Sequence, residues 1–489
     1  MRNHLPAFLF LIPLLTGISM PMIAWQRPAW CRPMLLLAVC AMSVTALANL
    51  SMVLNSGEIR YSFGGWAGPV GIEWVADRLA SVMMTAVSVI ATVCLTYGVS
   101  ISSEAADRRI LLRSVLILLL LSGLTGVVFA ADLFNVFVFL EVVTLSTCGL
   151  IAMAGGRALV FGFRYLILAS IGATFYLLGV VFLYAATGTV NMADLAERLP
   201  GLMESKAVLV GLVFIFVGLA IKMALMPLHG WLPDAYTYAP DAISPLVSSL
   251  VTKVALFAWI RIMYWVVGHG QEVGTVQILH VSWVLGALAA VGGASLALIQ
   301  QDLKRMFAYG GVSHVGLIMI GAGLGNQTGL AGSLFYLIND AVMQATLFML
   351  AGVAVSHYGV HTVEELGGLR GRAPWMTGAL IVVALSMIGI PPTGGFFGKW
   401  YIVLGALQSG QYAAVAAVII ATLLTMAYFM GLFVRVFGGS QATADVSLVK
   451  MPVVLRVSVA ALCVGIITLG LFSDGIVKIL LDATNSLKL

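Results

Sequence analysis

Apolar runs of about 20 residues, each long enough to cross a ~30 Å hydrocarbon layer as a helix, recur from one end of this chain to the other. They fall near 6–24, 33–54, 79–101, 111–130, 133–153, 163–186, 207–226, 243–267, 276–298, 305–323, 328–354, 376–407, 411–436 and 453–472. Only 9% of the 489 residues are Asp, Glu, Lys or Arg, against about 25% in a water-soluble domain. So few charges cannot cover the surface of a soluble protein of this length, and bilayer lipid is the solvent that fits. The pattern predicts an all-α integral membrane fold of about 14 transmembrane helices. The run from Phe8 to Trp25 follows Arg2 and His4 but lacks a small-residue cleavage pattern, so a retained first span is expected rather than a signal peptide.

Tyr61–Val75 breaks the pattern with Gly64, Gly65, Pro69 and alternating apolar positions, which predicts a hairpin outside the membrane plane near 58–75. The loop cations then set orientation. With the N-terminus outside, inward segments hold Arg27, Arg32, Arg108, Arg109, Arg113, Arg157, Arg164, Lys304, Arg305, Arg370, Arg372, Arg435, Lys450 and Arg456. Outward segments hold half as many: Arg2, Arg60, Arg78, Arg198, Lys206, Lys478 and Lys488. The positive-inside rule therefore favours both termini outside, in a cytoplasmic (inner) membrane of bacterial type. The net charge of +5 is accounted for by these loops and is not a nucleic-acid signal.

Two spans are interrupted. The seventh reads Ala220-Ile-Lys-Met-Ala-Leu-Met-Pro227, and the twelfth contains Gly389-Ile-Pro-Pro-Thr-Gly-Gly395. Proline removes a backbone donor and glycine weakens a helix, so both are expected to break near the membrane interior. Freed backbone groups at that depth are tolerated only where protein or water surrounds them. The breaks lie five spans apart, which suggests two five-helix units, a feature of inverted-repeat transporters. The expected division is residues 1–110, three spans with the hairpin; 111–267 and 276–436, the two units; and 453–489, a last span and tail.

Four ionisable residues lie deep in apolar runs: Glu141, Lys222, Lys253 and Lys399. A charge at mid-bilayer costs roughly 2.5–3.5 kcal/mol even on lenient insertion scales, so such groups face one another or water. A fixed ion pair explains Glu141 with one lysine, but not three lysines. For Arg261, near a helix end, snorkelling to the interface is a fair alternative; for Lys222 and Lys253 it is a poor one. Lysine suits proton transfer because desolvation favours its neutral amine while a nearby carboxylate favours its ammonium. Glu141 is then the modulator, Lys222 the first storage site, Lys253 the relay and Lys399 the terminal group. His314 is a candidate relay that titrates near neutrality, set against a hydrogen-bonded packing histidine. Asp340 and Gln344 share a helix face; Asp340 either holds a proton or ion or is a neutral structural acid.

Other signals are weak. GAGLG at 321–325 has no βαβ context, and Asn326-Gln-Thr matches a glycosylation sequon that is common by chance. Cys31, Cys40, Cys94, Cys148 and Cys463 are scattered without a CxxC pair. No metal, cofactor or redox centre is expected.

Four blocks resemble the antiporter-like proton-conducting subunits shared by respiratory complex I and Mrp-type cation/proton antiporters. They are Asp132-Leu-Phe-Asn-Val-Phe-Val-Phe-Leu-Glu141; Lys222-Met-Ala-Leu-Met-Pro-Leu-His-Gly-Trp-Leu-Pro-Asp-Ala-Tyr with Ala239-Pro240; Gln301-Asp-Leu-Lys-Arg-Met-Phe-Ala-Tyr with Ser313-His314; and Gly389-Ile-Pro-Pro-Thr-Gly-Gly-Phe-Phe-Gly-Lys399. Gly64–Leu79, Thr187–Leu195 and the modest length are similar to the D-type subunits of Mrp antiporters in particular. The resemblance implies fourteen helices in two inverted five-helix repeats, with Glu141, Lys222, Lys253 and Lys399 along a polar axis. It implies a subunit of a multi-subunit Na⁺/H⁺ antiporter, with other membrane subunits as partners and protons and Na⁺ as the ions. The alternatives are a proton-pumping subunit of a complex I-like or hydrogenase assembly, and an inert scaffold. One departure stands out: relatives carry a His or Lys on the eleventh span where this chain has Asn339-Asp340-Ala-Val-Met-Gln344. Water, Asp340 or His314 must bridge that gap, or transfer from Lys253 to Lys399 is impaired.

Overall fold

A backbone in hydrocarbon has no water to bond with, so a spanning segment must satisfy its own polar groups, and helices do this locally. The computed structural model describes residues 4–25, 27–102, 108–268, 273–367, 369–438 and 451–485. Arg2, Lys450 and Lys488, three of the expected loop cations, lie outside those residues. The helices are α1 Leu5–Ala24, α2 Cys31–Ser56, α3 Arg78–Ile101, α4 Arg108–Phe129, α5 Leu133–Ala152, α6 Arg157–Thr187 and α7 Met192–Arg198. Next come α8 Lys206–Lys222, α9 Leu232–Tyr238, α10 Ser244–Arg261, α11 Val273–Leu298, α12 Leu303–Gly323 and α13 Gln327–Tyr358. The chain ends with α14 Leu369–Arg372, α15 Pro374–Ile388, α16 Gly394–Gln408, α17 Tyr412–Gly438, α18 Val453–Leu471 and α19 Ser473–Asn485.

Among the described residues, 12 helices are long and apolar enough to cross a membrane, two fewer than the fourteen expected. The difference lies in the two interrupted spans. Helix α8 stops at Lys222, and α15 and α16 are separate 15-residue halves, so none of the three is long enough alone. Both breaks fall where proline and glycine placed them. The expected hairpin is also present: β1 Ile59–Ser62 pairs antiparallel with β2 Glu73–Ala76, Tyr61 opposite Trp74.

Helices α10, α12 and α13 form the centre. Every residue of α10 is buried, and α12 and α13 are buried along nearly their whole length. They are also the least apolar of the spans, and in lipid polar side chains belong in the interior of the bundle. Close packing there depends on small residues. Helices α11 and α12 meet so tightly that a Cβ on Gly316 would lie 2.3 Å from the Ala290 nitrogen. The helices farther out, such as α1 and α2, keep most of their residues partly or fully exposed toward the lipid.

The start of α1, the hairpin and α19 share one face. His4 stacks edge-on against Tyr61, and Arg78 at the start of α3 lies 4.0 Å from Asp482 of α19. The opposite face carries Arg164 and Arg305, which both bind Asp234, each at 3.2 Å.

Two cations are placed differently from expectation. Lys304 is not a loop cation but sits buried in the first turn of α12, paired with Asp241 at 2.5 Å. Arg261 does not snorkel. It is 4% exposed, lies 3.3 Å from Asp77, donates to the Val128 carbonyl and covers the Trp265 ring at 4.3 Å. Asp77 also caps α3 by accepting from the Ala80 amide at 2.7 Å. Loss of a cap costs about 1 kcal/mol, and a buried guanidinium left unpaired costs more. Asp77→Ala is therefore expected to lower the unfolding temperature in detergent clearly more than Asp302→Ala, which removes the cap of α12 alone. Equal losses would show that the Arg261 pair contributes nothing.

Candidate functional site

The two broken helices create the first and third stations of the site. Helix α8 ends at Lys222, and the turn that follows takes up its last carbonyls, Leu219 O by the Met223 amide at 2.8 Å and Ala220 O by the Leu225 amide at 2.9 Å. Trp231 adds to the closure, its indole Nε1 donating to Ile221 O at 2.8 Å. The next residues turn sharply, with Ala224 at φ 57, a left-handed conformation that costs a side chain roughly 1–2 kcal/mol. That strain is held by the surrounding packing, since Ala224 and Leu225 are both buried.

Lys222 projects from this end toward α5. Its Nζ donates to Glu141 Oε1 at 2.8 Å and to Thr144 Oγ1 at 2.6 Å. Lys222 is buried, whereas the Glu141 side chain is 27% exposed on the flank of the bundle. Thr144 lies three residues beyond Glu141, on the same face of α5. The expected pairing of Glu141 with a lysine is thus met by Lys222.

Lys253, Asp340 and His314 meet in the middle of the bundle, one from each central helix. Lys253 Nζ lies 2.9 Å from Asp340 Oδ2 and donates to the Ser248 carbonyl at 3.1 Å. Asp340 Oδ1 is 2.8 Å from His314 Nδ1, and the Tyr336 hydroxyl is 3.2 Å from the same nitrogen. Asp340 and His314 are fully enclosed. Asp340 thus faces both a lysine and a histidine. His314 is buried and hydrogen-bonded to Asp340 and Tyr336.

Lys399 is compensated differently. No carboxylate approaches it among the described residues. Instead its Nζ donates to Met387 O at 2.8 Å, Ile388 O at 3.1 Å and Thr422 Oγ1 at 3.3 Å. Those carbonyls are the free C-terminal end of α15, where the helix dipole is negative. The break that exposes them is the reason a buried ammonium is tolerated there.

The stations are linked by groups that sequence reasoning misses. The Tyr165 hydroxyl faces Thr144 and Thr147 beside Lys222, and the Tyr236 hydroxyl faces Thr252, next to Lys253. Trp231 packs between the two tyrosines, its ring centre 4.7 Å from that of Tyr165 and 6.0 Å from that of Tyr236. Thr144 is discoverable from helical spacing; Tyr165 and Tyr236 carry no signal until the helices are assembled. On the far side, His314 lies within electrostatic reach of both Lys253 and Lys399. The Asn339 amide, one residue before Asp340, donates to Ser386 Oγ on α15 at 3.3 Å. In the stretch Asn339–Gln344, Asp340 is the residue that meets His314.

Residues 130–425 match the family model described as NADH:quinone oxidoreductase/Mrp antiporter, transmembrane. The chain belongs to that family. It is 38% identical to an N-type subunit of the NADH-quinone oxidoreductase of Desulforudis audaxviator, with 98% of each chain covered. It is 31% identical to a D-type subunit of the Na(+)/H(+) antiporter of Alkalihalophilus pseudofirmus, covering 90% of this chain and 88% of that one. Among solved structures it is similar to a chain of the archaeal membrane-bound sulfane sulfur reductase, a respiratory membrane complex, with a TM-score of 0.91 at 29% identity over 99% of this chain and 97% of that one. A chain of the Mrp complex from Dietzia sp. matches with a TM-score of 0.89 at 26% identity and the same coverage.

Removing one partner of a fully buried ion pair costs about 3–5 kcal/mol, because the other charge is left in low dielectric. Asp340→Leu is therefore expected to destabilise the protein strongly in detergent. The double variant Asp340→Leu/Lys253→Met should recover about 1–3 kcal/mol of that loss. Strictly additive losses in thermal unfolding would show that the two charges do not depend on each other.

Proposed function

We propose that this chain is the proton-translocating membrane subunit of a multi-subunit monovalent cation/proton antiporter, exchanging Na⁺ for protons. The observation that carries this reading is the set of three membrane-buried lysines, each compensated by a different means. A scaffold needs neither three such sites nor tyrosines and a histidine between them. The division of the chain at 1–110, 111–267, 276–436 and 453–489, with the two middle parts as inverted repeats, is part of the proposal. The two breaks, one in each part, support it. We place the protein in a bacterial-type cytoplasmic membrane, with the hairpin face and both termini outside and the face bearing Arg164 and Arg305 inside.

The chemistry follows from electrostatics at low dielectric. While Glu141 faces Lys222, the ammonium is favoured; when that carboxylate is drawn toward a neighbouring subunit, the charge of Lys222 is uncompensated and its proton is released inward. Thr144, Tyr165, Tyr236 and Thr252 supply hydroxyls along the way to Lys253. Lys253 in turn shares Asp340 with His314, so a proton gained on one side of the carboxylate weakens the hold on the other. Lys399, held only by carbonyl dipoles and a threonine, is the group from which a proton leaves.

A second reading is favoured by one observation, the 38% identity across 98% of the chain to a relative named as a subunit of an NADH-quinone oxidoreductase. In that case the same residues work in a proton-pumping complex driven by a redox reaction. The two are separated by measuring proton movement in inverted vesicles carrying the whole complex. An antiporter responds to added Na⁺ in the absence of electron donors; a redox pump responds to the donor and is indifferent to Na⁺.

Two variants test the role of the first station. Lys222→Ala is expected to reduce proton flux by at least about 100-fold, the scale for losing a positioned proton-transfer group, with the complex still assembled. Glu141→Gln removes the charge that favours the ammonium of Lys222 and is expected to slow flux without lowering the amount of folded protein. Wild-type flux across the pH range in either variant would contradict the proposed roles.

A further inference from the structure

The central helices carry a second ionic layer below the first. Asp241, three residues ahead of α10, pairs with Lys304 in the first turn of α12. The pair abuts α13 at Gly352, where an added Cβ would lie 3.3 Å from Asp241 Cβ. These are the same three helices that supply Lys253, His314 and Asp340. From Lys304 to His314 is ten residues of α12, which at 1.5 Å per residue puts the layers about 15 Å apart. The lower layer sits at the face bearing Arg164 and Arg305.

The space between the layers is lined by polar groups of an unusual kind. Ser244, Ser248 and Thr252 of α10 are fully enclosed, and so is Gln344 of α13. Ser244 Oγ and Gln344 Nε2 find no hydrogen-bond partner among the described residues. An unsatisfied buried polar group is costly, so two of them on this path at the centre of the bundle need a reason. Gly311 of α12 keeps this strip open toward Gln344, since a Cβ there would come within 3.1 Å of the amide nitrogen. The strip connects the Asp241–Lys304 layer to Lys253.

The pair has the asymmetry of a mouth. The Asp241 side chain is 22% exposed, that of Lys304 only 9%. Lys304 is further tied to the Ala239 carbonyl at 3.3 Å. Tyr97 and His357 also lie within electrostatic reach of Asp241. Tyr97 is held by the Met349 carbonyl at 2.9 Å.

We propose that Asp241 and Lys304 form the gate through which the middle station takes up protons from the face bearing Arg164 and Arg305. This rests on the reading of Lys253 as a proton carrier. In the closed state the ion pair seals the strip. When Asp241 takes a proton from the aqueous phase, its attraction for Lys304 is lost and the pair loosens. The proton then passes along the strip to the neutral amine of Lys253, the Asp241 carboxylate is regenerated, and the pair closes again. No net proton is left at the gate.

The test uses the intact complex in membrane vesicles and five substitutions. Lys253→Met is expected to abolish proton flux. Asp241→Asn is expected to lower it at least about tenfold, at the low end for loss of a proton-transfer group, and Asp241→Glu to restore most of it. Lys304→Gln, which unlatches the pair, is expected to speed modification of Ser248→Cys by a membrane-impermeant thiol reagent applied from that face. A purely structural role would not produce the Glu rescue or the change in accessibility. Wild-type flux in Asp241→Asn, with flux abolished in Lys253→Met, would overturn the gate alone. Wild-type flux in Lys253→Met would overturn the carrier reading on which it rests. Loss of flux in Asp241→Asn without rescue by Glu, or a Ser248→Cys site equally accessible with and without Lys304, would also overturn the gate.

Discussion

A lysine ammonium inside a bilayer must find its compensation within a few ångströms, because the medium supplies none. This constraint organises the whole molecule. The break between α15 and α16 answers it by turning backbone into counter-charge. At Lys399 the compensation is entirely of this sort, two carbonyls from the end of α15 and one threonine hydroxyl. At Lys222 the compensation comes instead from side chains of α5, the Glu141 carboxylate and the Thr144 hydroxyl. A continuous helix through α15 and α16 would satisfy its own carbonyls and leave Lys399 bare. The prolines and glycines of that break are in this sense part of the charge chemistry rather than defects in the span.

The central helices follow from the same constraint. A pair such as Lys253–Asp340 is stable only where both groups are enclosed and further bonded, and here Ser248 and His314 complete the set. That enclosure requires helices surrounded on all sides, which is what α10, α12 and α13 are. The resulting column carries charge at three heights: Asp241 with Lys304, Lys253 with Asp340, and Arg261 with Asp77. Each pair joins α10 or the residues flanking it to a different partner, so a change in one alters the field at the others along a single rigid element.

Much of this is legible in the sequence, and for physical reasons. Segment length and charge scarcity reveal a membrane fold because the bilayer enforces both. Proline and glycine reveal the breaks because their backbone chemistry is local. The four buried ionisable groups are visible because each stands alone in an apolar run. What stays hidden depends on assembly. Asp340 and His314 are separated by 26 residues, and their meeting with Lys253 depends on how three helices rotate against one another. Lys304 reads as a loop cation because it sits at the edge of an apolar run, whereas α12 begins one residue earlier and buries it. Arg261 reads as an interfacial residue because it lies near a helix end; a π-helical turn continues α10 beyond it to Val266, and the hairpin covers it.

Protons, on this reading, move by the opening and re-forming of these buried pairs. Infrared difference spectroscopy of the reconstituted complex, recorded as transport is started, reports directly on the carboxyl groups involved. A carboxyl band is expected that appears or disappears with transport, shifts in D₂O, and is lost in Asp340→Asn. Sustained proton flux with no change in any carboxyl band would contradict the mechanism.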